Sequence, residues 1–511
     1  MKSFFFTYFL NIKKGYLDLV NSKELSTLRK YISILHKTDF IKSDENYYNV
    51  KKKKILRQFL GQKFLYQKFI WIFFYFKKKN HKIIFPLPIE WSKKLIEQNI
   101  KVNVILSYFL YLIFSIYQFI KGFFFIFYIL IKYFFFLTNL YSKKYHLNNS
   151  IMFYNISSKK INLANKVKYN LYSWFREKVD NNSNLIFFHK QNNSKFYNKN
   201  LMEENDEFKL FFPQFRISIF LTNLFKLILE FRKVSLLFYN LILFEENIKA
   251  IFYKSIKNIG VKKIFIVWTN NIFKPLWVYK LEDKGVEFFI FFNGFLNEIR
   301  LTKDLNFNFD HEGLSNLTWK NYYTWDKINS NFLKQKIDIE INTIEKGPIY
   351  FSDNQVKLDL PKKTIAVFGY ENHKQNIGIN TISDYEFCNK NFLKIFYNDI
   401  IEVSKMKDYK IVLKRKNELK HLEIKKNKKY FEKLFNNDKI IFVDPNISAF
   451  RVIEKCDMVI SMPFTSTGKI AEELNKPSIY YDPFSWIQNN DPSGSNIKLI
   501  KGKENLKQWL N

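Results

Sequence analysis

The chain has 511 residues, more than one domain needs, and its 47% apolar and 19% aromatic content excludes an intrinsically disordered protein. Its formal charge of +35 is scattered among Asn, Ile, Phe and Tyr along the whole length, and no zinc-finger spacing, recognition-helix pattern or Gly-aromatic signature accompanies it, so no nucleic-acid partner is expected. The only cysteines, Cys388 and Cys456, exclude a disulfide framework and fit a reducing, cytoplasmic compartment.

Residues 1–104 read as the N-terminal part of a first α/β domain. The opening MKSFFFTYFLNIKKGYLDL lacks a small-residue cleavage site and reads as a first strand or helix, not a signal peptide. HKIIFPLPIEWSKKLIEQNIKVN predicts a strand, a turn fixed by Pro86 and Pro88, and a helix.

Residues 105–141, from Ile105 to Tyr141, form a hydrophobic helix or helical hairpin interrupted by Lys121 and Lys132. On a helix Ser107, Gln118, Lys121, Lys132 and Asn139 fall within an arc of about 60°. Three arrangements fit: an in-plane anchor with a thin polar stripe, one or two spans broken at Lys121-Gly122, or a buried core helix. The lysines are costly in mid-bilayer, which favours a monotopic or re-entrant, membrane-associated segment. The scattered lysines suit an anionic phospholipid surface as a partner, each adding about 1 kcal/mol when close to it.

Residues 142–210 are polar and Asn-rich and read as a connection, with LYSWF at Leu171 to Phe175 as a surface helix. In residues 211–347 a first alternating α/β domain is predicted. LFKLILEFRKVSLLFYNLILF is helical, GVKKIFIVW a strand, IFKPLWVYKLEDKG a helix ending at Gly285, and VEFFIFFNG a strand. That βαβ pattern implies a parallel sheet, with Asn270, Asn271, Asn293 and Gly294 at its ligand-binding edge or simply forming turns. The segment from Pro348 to Pro361 is the domain boundary. In residues 362–511 a second series of strands follows: TIAVFGY, KIVLKRK, KIIFVDP, MVISMP and SIYYDP. Two consecutive α/β domains facing a cleft are the expected architecture.

The chemistry concentrates at the second domain's sheet edge. In CDMVISMPFTSTGKIAEELNKPSIYYDP, Met458 to Ser461 reads as a strand, Met462 to Thr467 as a loop carrying Thr465, Ser466 and Thr467, and Gly468 to Leu474 as a helix. Hydroxyls and backbone N–H groups at a helix N-terminus make a phosphate cradle, although a plain N-cap would need only one hydroxyl. Glu472 and Glu473 lie farther along, to reach a ribose or to face water. Lys414 and Arg415, with Lys416, follow a strand at the same edge and could offset phosphate charge. In the first domain Asp310 or Glu312, around His311, could act as general base. The sequence has no Walker lysine motif, no GxGxxG after a strand, no His/Cys metal cluster and no G-x-S-x-G elbow, so NAD enzymes, P-loop NTPases and serine hydrolases are disfavoured and no metal or cofactor is expected.

The same stretch, with Pro463, Phe464, Thr465 and Ser466 at its centre, resembles the hallmark of bacterial surface polysaccharide biosynthesis proteins named for their PFTS motif. The likeness extends over roughly residues 260–490, through PLWVYKLEDKGVE, WKNYYTWD, GPIYF and KTIAVFGY, and more weakly to PLPIEW and YNLYSWF. It implies two Rossmann-like domains of the GT-B type, similar to sialyl- and Kdo-transferase-like enzymes, and a metal-independent transfer of sugar from a nucleotide-sugar donor to a glycan or lipid-linked acceptor. It also implies residence at the cytoplasmic face of the bacterial inner membrane. Only Thr465, Ser466 and Thr467 carry over by motif, as donor-phosphate ligands. A glycerol- or ribitol-phosphate transferase of similar fold, or a non-catalytic membrane-bound assembly component, are the alternatives.

Overall fold

Runs such as KKIFIVW and EFFIFF have no polar alternation, so they suit only strands that are covered on both faces. The computed structural model describes residues 47–65, 80–138, 150–154, 169–188, 201–204, 210–233, 236–268, 273–292, 317–350, 356–369, 390–415, 437–491 and 496–510, together with 31, 32, 34, 35, 38, 73, 76, 77, 208, 314, 430–432 and 434. In it these runs become β4 (Val261–Trp268) and β5 (Glu287–Phe292) of a seven-stranded sheet. The other strands are β1 (Ser150–Tyr154), β2 (Leu185–Phe188), β3 (Leu201–Glu204), β6 (Asn321–Thr324) and β7 (Asn342–Glu345). Their order is β3-β2-β1-β4-β5-β6-β7, parallel throughout.

The second sheet repeats the scheme. Strands β8 (Thr364–Phe368), β9 (Lys410–Lys414), β10 (Ile440–Val443), β11 (Met458–Ser461), β12 (Ser478–Asp482) and β13 (Lys498–Lys501) lie in the order β10-β9-β8-β11-β12-β13, again parallel. Each sheet therefore has the Rossmann order, in which the chain runs outward one way, returns to the middle and runs outward the other way. The two-domain α/β architecture expected from the sequence is the one observed.

The helices that cover the sheets are α1 (Tyr47–Leu60), α2 (Ile89–Glu97), α3 (Val104–Leu137), α4 (Leu171–Lys178), α5 (Ile217–Glu230), α6 (Leu237–Ile242), α7 (Phe244–Lys254), α8 (Leu276–Glu282), α9 (Lys327–Lys336), α10 (Lys390–Met406), α11 (Ala449–Lys455), α12 (Ser466–Glu473) and α13 (Lys503–Trp509). Alternate residues of the first sheet feed two cores. Ile264, Ile266, Phe288 and Ile290 pack with α7 and with Ile126 and Ile129 of α3. Phe153, Phe265, Phe289 and Phe291 pack with Trp174 and Phe175 of α4. On that second face the rings of Phe153, Phe265 and Phe289 stack from strand to strand at centroid distances of 5.3 Å and 5.2 Å.

Two expectations change. The stretch 142–210, read as a polar connection, supplies β1, β2 and β3, with β1 in the middle of the first sheet; α4 within it is a core helix, Trp174 and Phe175 being buried. The described part of 1–104 contributes helices and an isolated bridge, Ile83 to Val102, but no strand of the sheet. Its apolar residues form a separate core with Tyr111, Tyr239 and Ile242.

The helix expected over 105–141 is one unbroken α3 of 34 residues, capped by Asn103, whose side chain accepts from the Leu106 N–H. It does not break at Lys121-Gly122. The first half of its polar stripe faces the protein: Ser107 and Gln118, with Ser115 between them, are buried, and the Ser107 hydroxyl accepts from the Phe85 N–H at 3.2 Å. Lys121 pairs with Glu245 of α7. Burial would raise the Glu245 pKa, but Lys249 and Lys121 outweigh it and hold the carboxyl below its ordinary value.

Gly122 is where α3 meets the start of α7. A Cβ there would lie 2.6 Å from Phe244 Cδ1 and 2.7 Å from the Glu245 amide nitrogen, and the backbone nitrogen cannot move aside cheaply. Gly122→Ala should therefore destabilise the fold by about 1–3 kcal/mol through overpacking, against the roughly 1 kcal/mol gain that Ala brings to an unconstrained helix. A thermal melt reads the sign directly; a higher melting temperature would show that the α3–α7 contact is looser than described.

Candidate functional site

At the middle of the second sheet the crossover direction reverses between β8 and β11, which pair directly with Ser461 opposite Phe368. Open α/β sheets bind ligands at the carboxyl ends of these two strands. The chain leaves β11 there through Met462 to Thr465 and enters α12 at Ser466. The Met462 N–H donates to the Phe368 carbonyl at 3.0 Å, so the loop is pinned to the neighbouring strand as it leaves the sheet.

Each letter of the PFTS motif then has a structural task. Pro463 is buried and restricts the turn. Phe464 has φ +56°, the left-handed region that an aromatic residue rarely adopts. Its ring is buried edge-on against Tyr480, centroids 5.5 Å apart, and this packing opposes the backbone strain. Thr465 returns to extended backbone, φ −86° and ψ 156°, as the N-cap of α12.

The side chain of Thr465 makes no capping hydrogen bond. Its hydroxyl donates instead to the Met462 carbonyl at 2.8 Å, while the Tyr480 hydroxyl donates to the Thr465 carbonyl at 3.2 Å. The Thr467 hydroxyl lies 2.8 Å from that of Ser461 and 3.2 Å from that of Thr465. The hydroxyls of Thr465 and Thr467 therefore fix the shape of the loop. The groups such a loop offers an anion are the first-turn amides of α12 and the positive end of its dipole. Gly468 fits because Tyr480 occupies the space beside it: a Cβ would stand 2.4 Å from the ring.

The helix that begins at this loop also joins the domains. Lys469 is buried, and its ammonium lies 2.7 Å from Asp326 in the first domain and 2.5 Å from Glu472. Asp326 is itself the N-cap of α9, accepting from the Asn329 N–H. Glu473 pairs with Lys178 of α4 at 3.0 Å. Around these charges Tyr169 and Trp325 of the first domain enter the core of the second, with Tyr169 stacked on Phe450 at 5.2 Å.

Thr465 is the N-cap of α12 and Ser466, Thr467 and Gly468 form its first turn, which starts two residues before the helix start read from the sequence, and Glu472 lies in an interdomain charge cluster one turn further on. Lys414 and Arg415 end β9, which lies beyond β8 from β11, roughly 10 Å across the sheet from the loop. Lys414 donates to the Pro445 carbonyl at 3.0 Å, and the buried Arg415 lies 4.7 Å over the Phe431 ring. Asp310, Glu312, Lys416, Asn270, Asn271, Asn293 and Gly294 lie outside the described residues. Sequence reasoning missed Asp326 and Lys469. Asp326 had a signal, an Asp directly before the helical KINSNFLKQK. Lys469 had none, being one of 82 basic residues. Among the described residues no group of three or more His, Cys, Asp or Glu is placed to hold a metal.

A family model described as polysaccharide biosynthesis PFTS motif protein matches residues 220–510. No curated protein matches the chain. Among solved structures, UDP-GlcNAc 2-epimerase from Methanocaldococcus jannaschii is similar at 12% identity and a TM-score of 0.34, over 71% of this chain and 91% of that one. S. aureus MnaA, solved with UDP, is similar at 11% identity and a TM-score of 0.36, over 71% of this chain and 86% of that one. S. aureus TarM, solved with UDP, is similar at 10% identity and a TM-score of 0.30, over 52% of each chain.

Asp326→Asn separates the two tasks of that residue, because Asn caps a helix as well as Asp does but brings no charge to Lys469. The substitution should cost roughly 1–3 kcal/mol in denaturant unfolding, the range for a charged hydrogen bond. An unchanged unfolding midpoint would show that the ion pair does not hold the domains together.

Proposed function

Because the chain belongs to the polysaccharide biosynthesis PFTS motif protein family, we propose that it transfers a sugar from a nucleotide-sugar donor to a growing glycan at the cytoplasmic face of the membrane. The observation that carries this reading is the position of the PFTS turn. It delivers the N-terminus of α12, without a side-chain cap, to the reversal point of a Rossmann-order sheet. A diphosphate seated there meets backbone N–H donors that are already oriented.

When the bond from the anomeric carbon to the phosphate oxygen breaks, negative charge grows on the leaving phosphate. The amides of the first turn stabilise that charge without reorganising. The acceptor hydroxyl must lose its proton as it attacks the anomeric carbon, and we assign that task to a carboxylate of the first domain, Asp310 or Glu312. Thr465 and Thr467 hold the loop, and Ser466 presents the first amide of the helix.

Ser466→Pro tests the cradle at its backbone. Proline is favoured at the first position of a helix, and the extended Thr465 before it is the conformation that a proline requires. The variant loses one N–H. A thermal-shift screen over CMP-, UDP- and GDP-sugars should find a donor that protects the native protein. The folded variant should bind that donor about 10- to 100-fold more weakly in calorimetry than the native protein. Absence of protection by every donor, or equal affinity in the variant, would sink the phosphate-cradle reading.

The base is tested separately. Of Asp310→Asn and Glu312→Gln, one should lower turnover by about 10²- to 10⁴-fold while donor affinity stays unchanged. Full turnover in both variants would move the base elsewhere, and a product joined by phosphodiester bonds would reassign the enzyme to polyol-phosphate transfer.

A further inference from the structure

A helix on the surface of a protein in water turns its apolar side inward. In α3 the order is inverted. The row facing the protein is Ser107, Tyr111, Ser115, Gln118, Gly122 and Ile126, while Phe124 and Phe134 on the outer side are 67% and 62% exposed. Helix α5 beside it buries Phe220 and Leu227 and leaves further apolar residues outside, with Phe225 62% exposed and Leu221 and Ile228 also exposed.

The two helices run antiparallel side by side, joined by rings at the two ends of α5. Phe215, just before α5, meets Tyr133 at 5.0 Å, and Phe231, just after it, meets Phe119 at 5.7 Å. Both helices rest on α7, through Phe119 to Phe244 at 4.7 Å and Phe231 to Phe244 at 5.6 Å. Over the length of α5, about 21 Å, they present apolar side chains over roughly 400 Å², and α3 continues alone to a length of about 51 Å, for roughly 700 Å² in all. Soluble monomers rarely leave so large a patch open to water. Exposed Arg216, Lys226, Arg232 and Lys233 lie along α5 and at its ends, a cationic border that complements an anionic lipid surface.

We propose that α3 and α5 together form a monotopic docking face that lies flat in the outer layer of an anionic bilayer. The inference rests on the membrane location stated above and deepens it by adding α5 and fixing the orientation of α3. A transmembrane crossing needs about 20 helical residues clear of the protein body. The contacts of α3 with the body run from Ser107 to Phe136, which leaves no such stretch. The buried polar stripe and the exposed apolar side then have one cause: the stripe faces protein and the rest faces lipid.

The test uses the full chain and vesicles of phosphatidylethanolamine with phosphatidylglycerol, against vesicles of phosphatidylcholine. The native protein should float with the anionic vesicles. Phe225→Glu combined with Ile228→Glu should reduce the bound fraction about tenfold or more, with melting temperature and donor binding unchanged because both side chains are exposed. Spin labels at Phe109→Cys, Ile120→Cys, Ile131→Cys and Phe225→Cys, in a Cys388→Ser background, should report one shallow depth of about 5–10 Å.

If the native protein binds neither vesicle, the membrane location itself falls. If it binds and the α5 variant binds equally, the two-helix face is overturned while the location stands. Depths that deepen toward the middle of α3 would mean a span and overturn the flat orientation. A dimer in lipid-free solution that the same double substitution converts to monomer would assign the face to a second copy of the chain and overturn the lipid assignment.

Discussion

Parallel strands must be joined by crossovers that pass over a face of the sheet, and a sheet built outward in both directions from its middle must switch faces once. In the second domain that switch falls between β8 and β11. At such a switch the crossovers from the two strands go to opposite faces of the sheet, and open α/β sheets have their ligand crevice there. Everything distinctive about the PFTS stretch follows from where it stands in that plan. The chain must turn from strand to helix in four residues at the crevice, and it does so by placing Phe464 in the left-handed region. Such a residue costs about 1–3 kcal/mol, a cost opposed by burying the same ring against Tyr480. Tyr480 also accounts for Gly468 and binds the Thr465 carbonyl, so one ring on β12 shapes both ends of the turn.

The same short helix is held from two sides. Ile470 and Ala471 are buried in the second domain's core, while Lys469 and Glu473 pair with Asp326 and Lys178 of the first. Buried ion pairs add little net stability but are strict about geometry, because a charge left alone inside the protein is expensive. Asp326 cannot swing away from Lys469 without also weakening the cap of α9. The joint therefore fixes the angle of α12, and with it the direction of the amides at its start. Binding an anion and aligning the domains are properties of one helix.

The strands legible in the sequence were those whose surroundings matched a simple pattern. β4, β5, β8, β9, β10, β11 and β12 are apolar runs bounded by turn residues, and each lies within the segment read as a strand. β1, β2 and β3 were hidden because they are four or five residues long within an Asn-rich stretch. β7, NTIE, is an edge strand with exposed ends and carries no apolar run. The PFTS loop was readable because small polar residues between an apolar strand and a helix have few other uses. The allocation of its hydroxyls was not, since only the fold shows that Ser461 and the Met462 carbonyl engage them. The polar arc of α3 was likewise visible as a periodicity, but periodicity does not say which side of a helix is wet.

That ambiguity resolves once the two faces of the first sheet are compared. Helices α3, α5 and α7 cover one face, through the core that contains Ile264 and Phe288. The opposite face, with Phe265 and Phe289, carries α4 and the residues around Tyr350, and it is from this side that Tyr169 and Tyr350 reach Phe450 of the second domain. The helices with exposed apolar sides and the second domain thus lie on opposite faces of one sheet. If α3 and α5 lie against a bilayer as proposed, the second domain would project into water, where a soluble nucleotide-sugar would arrive. The first domain then remains beside the surface from which a lipid-linked acceptor would come. The inverted amphipathicity of α3 and the reversal point at β11 are in this way two halves of one arrangement, with the first sheet between them setting their separation.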